Sequence, residues 1–344
     1  MAKKKTSKKT IVKKVVKPKR VLSIDGGGIR GIIAGQVLVA LETELQNKLK
    51  DKNVRLADYF DLIAGTSTGG ILAVCLLASD VNGRPRFTAR EVAELYTENG
   101  DEIFDVSIWQ AIASAGGMID EKYDADVLEE VLNNYLGDLK LSDLLKPSLI
   151  TAYNIRKRET HFFKQHEATN PARNFYARDL CRATSAAPTY FEVSRIKSFT
   201  NVWYPLVDGG VFANNPSLCA YAEVRSYFGV GASDIVLVSI GTGNREKSYS
   251  YSKAKDWGPT GWAKPVIDIM MSGVAETVDY QLQQIFESVK AKDQYHRFQI
   301  ELPTWVSSDM DNADIENMNK LVEVGEELVN HNKAKIKKIV NQIV

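Results

Sequence analysis

Three short stretches set glycines beside a residue able to do nucleophilic or acid–base work: Asp25-Gly26-Gly27-Gly28-Ile29-Arg30-Gly31, Gly65-Thr66-Ser67-Thr68-Gly69 and Val207-Asp208-Gly209-Gly210. The middle one is G-x-S-x-G. Between a strand and a helix this pattern makes a sharp turn that presents the serine, and the flanking Gly65 and Gly69 remove side chains that would collide with the neighbouring backbone. Ser67 is therefore the candidate nucleophile. A serine hydroxyl needs a base, and the chain has only His161, His166, His296 and His331 to offer as imidazoles. None stands where a loop-borne histidine following an acid would be expected: His331 lies in a polar helical stretch, His296 between Tyr295 and Arg297 at the start of an expected strand, and the other two precede Asp208. Asp208, at a strand end beside two glycines, can instead take the proton directly if it is partly desolvated and its pKa raised.

The first stretch also satisfies G-x-G-x-x-G. A dinucleotide site would require an acid at the end of a second strand about twenty residues on, and only Asp51, in a Lys-rich polar segment, is available. It is not a P-loop, because G-x-x-x-x-G-K is absent. The remaining physical reading is a nest: Gly26, Gly27 and Gly28, lacking Cβ, can turn successive N–H groups toward one point and hold a developing oxyanion.

These residues need elements to position them. An apolar run at residues 20–24 ends in Asp25 and a helical pattern follows over 32–49; a second run at 60–64 ends in the serine turn and is followed by the apolar stretch 71–78. Repeated strand–turn–helix units predict a parallel sheet with helices on its faces. Further strands are expected at 148–153, 203–207 and 235–240, and helices over 124–136, 175–186, 266–289 and 314–343. In the 266–289 stretch Val266, Met270, Val274, Val278, Leu282, Ile285 and Val289 recur every three or four residues, which predicts one apolar face against the body. Residues 100–123 and 244–265 fit no regular element, and one or both are expected to cover the entrance to Ser67.

Composition bounds the rest. The 344 residues are 44% hydrophobic and 25% charged, an ordinary globular balance. The net charge of +1 hides an asymmetry: residues 1–20 carry ten Lys or Arg and no acid, leaving 34 bases against 43 acids beyond them. Residues 1–19 are thus expected to form a solvated basic tail, drawn to an anionic membrane or merely solubilising. Aromatic interleaving is absent there, so no nucleic-acid partner is expected. Three cysteines with small or apolar neighbours suit buried free thiols and a cytoplasmic setting. No secretory h-region or membrane-spanning run is present.

In order and spacing, DGGGIRG, GTSTGG and DGG resemble the patatin-like phospholipases, as do Ala183-Thr184-Ser185-Ala186-Ala187-Pro188-Thr189-Tyr190-Phe191 and Ser239-Ile240-Gly241-Thr242-Gly243. The resemblance implies a three-layer α/β/α fold with a mainly parallel central sheet. It also implies a lipid acyl hydrolase that uses a Ser67–Asp208 dyad with Gly26 to Gly28 as oxyanion hole, and neither metal nor other cofactor. Arg30 is a candidate for substrate phosphate or for a structural ion pair. The catalytic core is expected over 20–243, with 244–344 an extension packed on the same domain. Membrane phospholipids are the implied substrate, met at the inner membrane surface. Similar bacterial cytosolic members include antiviral effectors, so a cyclic nucleotide is a candidate activator. The alternatives are an esterase or thioesterase of soluble acyl substrates, or a non-catalytic lipid or nucleotide sensor.

Overall fold

A computed structural model describes residues 17–103, 125–244 and 249–344. An eight-stranded sheet forms its centre. Strands β1 (Lys19–Ile24), β2 (Leu62–Gly65), β3 (Ser148–Asn154), β7 (Ile235–Ile240) and β8 (Tyr295–Phe298) run parallel. Strands β4 (Glu159–Lys164), β5 (Ser194–Lys197) and β6 (Trp203–Asp208) complete it through antiparallel pairings.

Alternation along the central strands builds two cores. Leu22, Ile24, Ile63, Ile150, Val236 and Val238 face one side, where they pack with helices α1 (Gly31–Leu49), α2 (Thr68–Leu77), α3 (Ala89–Ile103), α4 (Ala125–Leu136) and α5 (Ala177–Thr184). Val21, Leu62, Ala64, Leu149, Ile235 and Leu237 face the other, against α6 (Ser217–Phe228) and α7 (Pro259–Ser288). Period-two alternation with apolar residues in both phases is the signature of a sheet covered on both faces. The architecture is therefore three layers, α/β/α, around a mostly parallel sheet.

The last hundred residues join this body. β8 extends the sheet beside β7, and α8 (Ile315–His331) and α9 (Lys333–Ile343) add Leu321, Val324, Ile339 and Val340 to the first core. The helical pattern over 314–343 is in fact two helices, separated at Asn332. On α7 the expected apolar face holds only toward the C-terminus. Val278, Leu282 and Phe286 are buried, whereas Val266 and Met270 are exposed, because the sheet lies under the second half of this helix alone; Val289, at the C-cap, is exposed beyond it. β1 begins at Lys19, so the charge boundary at 19 falls inside the first strand. Lys19 and Arg20 both pair with Asp61 and tie that strand down. Among the described residues no helix is long and apolar enough to cross a membrane.

Candidate active site

The register on β3 brings two motifs together. β4 pairs along one edge of β3, so β2 and β6 must share the other edge. There Gly65 stands opposite Ile150, and Asp208 stands opposite Ala152, two residues further along. The C-terminal ends of a parallel and an antiparallel strand thus meet head to head, and each is followed at once by a tight turn into a helix.

At the first turn Ser67 has φ 54 and ψ −126, a left-handed backbone that few non-glycine residues adopt. Neighbouring close packing enforces it: a Cβ on Gly65 would lie 2.2 Å from the Gly69 carbonyl oxygen, and one on Gly69 would lie 2.3 Å from that of Ile24. The Ser67 N–H donates to Thr184 Oγ1 at 2.9 Å, and the Thr184 hydroxyl donates on to the Thr151 carbonyl at 2.6 Å. Thr184 belongs to the ATSAAPTYF stretch and ties α5 to the serine turn.

Asp208 is 2% exposed and Ser67 7%. Both line one cleft, and Asp208 Oδ1 accepts the Gly210 N–H at 2.6 Å. Burial pushes the Asp208 carboxyl up to about 7, with the neighbouring Ser67 hydroxyl and the Gly210 N–H opposing the rise. A carboxylate with that affinity for protons can take and return the hydroxyl proton near neutral pH.

The glycine nest lies across the cleft from this pair. Gly27 and Gly28 line the cleft with Ser67 and Asp208; Gly26 does not, and its N–H already donates to the Asn214 carbonyl at 3.0 Å. Of the three glycines expected to form the nest, Gly27 and Gly28 line the cleft. Gly28 has φ +58, and a Cβ there would meet the Met310 carbonyl oxygen at 2.1 Å. Apolar groups form the rest of the cleft, among them Ile71, Tyr96, Leu128, Phe191, Met271 and Met310. Such a channel suits an acyl chain.

Asp25, at the head of the first motif, is not a cleft residue. Buried at the end of β1, it accepts two hydrogen bonds from Arg297, at 3.0 and 2.6 Å, and Arg297 also donates to Ser239 Oγ at 2.8 Å. This pair anchors the nest to β8, and its arginine comes from a segment without any motif. Arg30 turns away from the cleft. Its guanidinium donates to the Gly27 and Gly243 carbonyls, at 3.4 and 3.3 Å, and lines a second cavity behind the nest.

None of the four histidines lines the cleft with Ser67. His161 packs on Phe163, Phe175 and Tyr204, and burial pushes it down to about 4. His166 bonds Glu223 at 2.8 Å and stacks on Tyr227; His296 bonds Gln342 at 2.6 Å; His331 is an exposed helix residue near Glu327. His166, Glu167 and Glu223 converge closely enough to hold a metal, but the Lys164 ammonium lies 3.3 and 2.8 Å from the two glutamates and already supplies their positive charge.

The two segments expected to be irregular differ from that reading where they are described. Residues 100–103 complete α3, and Ile103 lines the cleft; 104–123 lie outside the described residues. Within 244–265, α7 starts at Pro259, and Trp257 packs between Tyr249 and Trp262 with ring centroids 5.2 and 5.1 Å away.

The sequence of the patatin-like phospholipases matches residues 22–220, more than half of the chain. The chain belongs to the patatin-like phospholipase family. Similarity to individual patatin-like proteins runs well past that core. Patatin-like protein 2 of Oryza sativa subsp. indica is 37% identical over 350 residues, covering 93% of this chain and 86% of its own length. Patatin-like protein 2 of Arabidopsis thaliana is 35% identical, with 92% and 84% covered, and patatin group J-1 of Solanum tuberosum is 33% identical, with 90% and 83% covered. Membership makes this a protein of a lipid acyl hydrolase family.

Proposed function

We propose that the chain hydrolyses fatty acyl esters of membrane phospholipids through Ser67 and Asp208. The observation that carries this reading is the buried Asp208 carboxyl beside the Ser67 hydroxyl, raised to about 7, in a cleft that no histidine lines. Asp208 takes the hydroxyl proton as Ser67 Oγ attacks the acyl carbonyl. The Gly27 and Gly28 N–H groups hold the tetrahedral oxyanion, a contribution that in other hydrolases is worth about 3 kcal/mol per donor. Collapse breaks the ester bond, and Asp208 returns the proton to the departing lysolipid oxygen. Water, deprotonated by Asp208, then attacks the acyl-serine and frees the fatty acid.

The enzyme would meet its lipid peripherally, at the inner membrane surface of a cytoplasm, aided by the basic N-terminus. The core over 20–243 would supply the chemistry and residues 244–344 would close one side of the cleft, since Met271 and Met310 both line it. The test is product analysis by mass spectrometry on mixed phospholipid vesicles, with and without a panel of cyclic nucleotides as candidate activators. Release of fatty acid and lysolipid by the natural chain and not by Ser67→Ala is the expected result. Absence of any lipid product, with a soluble acyl ester still cleaved, would overturn the phospholipid assignment.

A further inference from the structure

Behind the glycine nest lies a second cavity of a different character from the apolar cleft. The two share Met271 and Met310, so they adjoin at the nest. One face of α7 walls the second cavity: Asp268, Ser272, Glu276 and Asp279 follow one another at helical spacing, with Met271 at the junction. Arg30 faces these carboxylates, while Asp25 and Arg297, also in the wall, satisfy each other. Among the described residues Asp268, Glu276 and Asp279 make no ion pair within 4 Å. Asp268 and Asp279 accept hydrogen bonds from the hydroxyls of Tyr249 and Tyr295, at 3.1 and 2.7 Å. Among the described residues, three carboxylates stand against one guanidinium and give this wall a negative excess.

A second observation is independent of those acids. Asn214 lines the same cavity and is 8% exposed, and among the described residues its side-chain carbonyl has no hydrogen-bond partner. An unanswered buried acceptor is unfavourable by about 1–3 kcal/mol and is matched by a ligand that donates N–H.

We propose that this cavity is the headgroup subsite of the enzyme and takes a phosphate ester bearing a primary ammonium, an ethanolamine-type head. The inference rests on the acyl hydrolase reading of the neighbouring cleft. With the acyl chain among the apolar residues and the ester at Ser67, the polar end of the lipid emerges at the junction of the two cavities. The ammonium is held by Asp268 and Glu276 and donates to Asn214, while Arg30 stands within the same cavity for the phosphate. A head that ends in an uncharged glycerol offers the three carboxylates only neutral hydroxyl donors, and its phosphate charge is repelled by them.

The test uses the full chain with Ser67→Ala, so that nothing turns over, and calorimetric titration with glycerophosphoethanolamine and glycerophosphoglycerol. The ethanolamine head is expected to bind at least tenfold tighter. Asp268→Asn combined with Glu276→Gln should weaken it about tenfold and narrow the gap; Glu276 is exposed, so Glu276→Gln alone keeps the fold and should move in the same direction. In parallel, the natural chain is given phosphatidylethanolamine or phosphatidylglycerol of identical acyl chains in mixed micelles. Equal binding of the two heads, or ethanolamine binding indifferent to both substitutions, overturns the subsite even if both lipids are cleaved. Head binding that depends on Glu276, with neither lipid cleaved, overturns the phospholipase reading and leaves the subsite standing.

Discussion

In the proposed dyad Asp208 titrates in the range where a histidine base would also titrate, so the pH profile is read together with substitutions. The carboxylate is the working form of a base, so kcat/KM should rise with pH through a single ionisation near 7 and fall about tenfold per unit below it. Asp208→Asn should lower kcat by about a thousandfold or more, whereas substituting any one of the four histidines should leave it within a few-fold. A histidine variant that folds normally and loses activity on the thousandfold scale would replace the dyad with a triad. The same group carries a stability consequence. Its folded pKa lies above the unfolded value of 3.8, so the folded state binds the proton more tightly, and stability is lost as pH rises from about 4 to 7. A shift of about three units corresponds to about 4 kcal/mol. Asp208→Asn removes that titration, and its stability relative to the natural chain should grow over this range. Urea unfolding of both proteins at pH 4 and pH 8 measures it.

At the level of elements, the turn after β2 depends on backbone meeting backbone. In Gly69→Ala the new methyl would lie 2.3 and 2.5 Å from the carbonyl oxygens of Ile24 and Asp25, and neither can move without parting β1 from α2. A loss of about 3 kcal/mol is expected, together with reduced turnover, because the same shift displaces the nest from Ser67. Gly273, inside α7, is the contrast: a Cβ there meets nothing within 4 Å. Gly273→Ala should stabilise by about 0.5–1 kcal/mol through helix propensity. Thermal and urea unfolding of the two variants should therefore move in opposite directions.

Across the whole molecule, the far end of the chain holds the near end in place. Arg297 on β8 is the ion-pair partner of buried Asp25 at the end of β1. Arg297→Met would leave that carboxylate unpaired in the interior, and a loss of about 3–5 kcal/mol is expected from chemical denaturation. The basic N-terminus is expected to act at the same scale, through longer-ranged forces. Residues 1–16 contain seven lysines and lie outside the described residues. Near an anionic surface each is worth about 1 kcal/mol. Deleting residues 2–16, which spares β1, should weaken binding to anionic vesicles at low salt, with the difference fading as salt rises. Sedimentation with vesicles reads this directly, and unaltered binding at low salt would leave the segment as a solubilising tail.

The sequence by itself determined the parallel sheet, the serine turn and the three glycine motifs, since each is a local pattern: apolar runs that end in glycine where a strand passes into a helix. It also pointed to Ser67 and Asp208, because each sits within its own motif. Distance along the chain hid the rest. β4 and β5 are short strands, one with little burial and one of mixed residues, and they and α3 and α6 lie outside the expected elements. The Asp25–Arg297 pair joins residues 272 positions apart, and no spacing rule links them. Only the tertiary structure decided that Gly26 spends its N–H on Asn214, that Arg30 turns behind the nest, and that Met271 and Met310 border both cavities. Each of these is settled by which backbone and side-chain groups meet once β2 and β6 share an edge of β3, and packing across that distance leaves no trace in local composition.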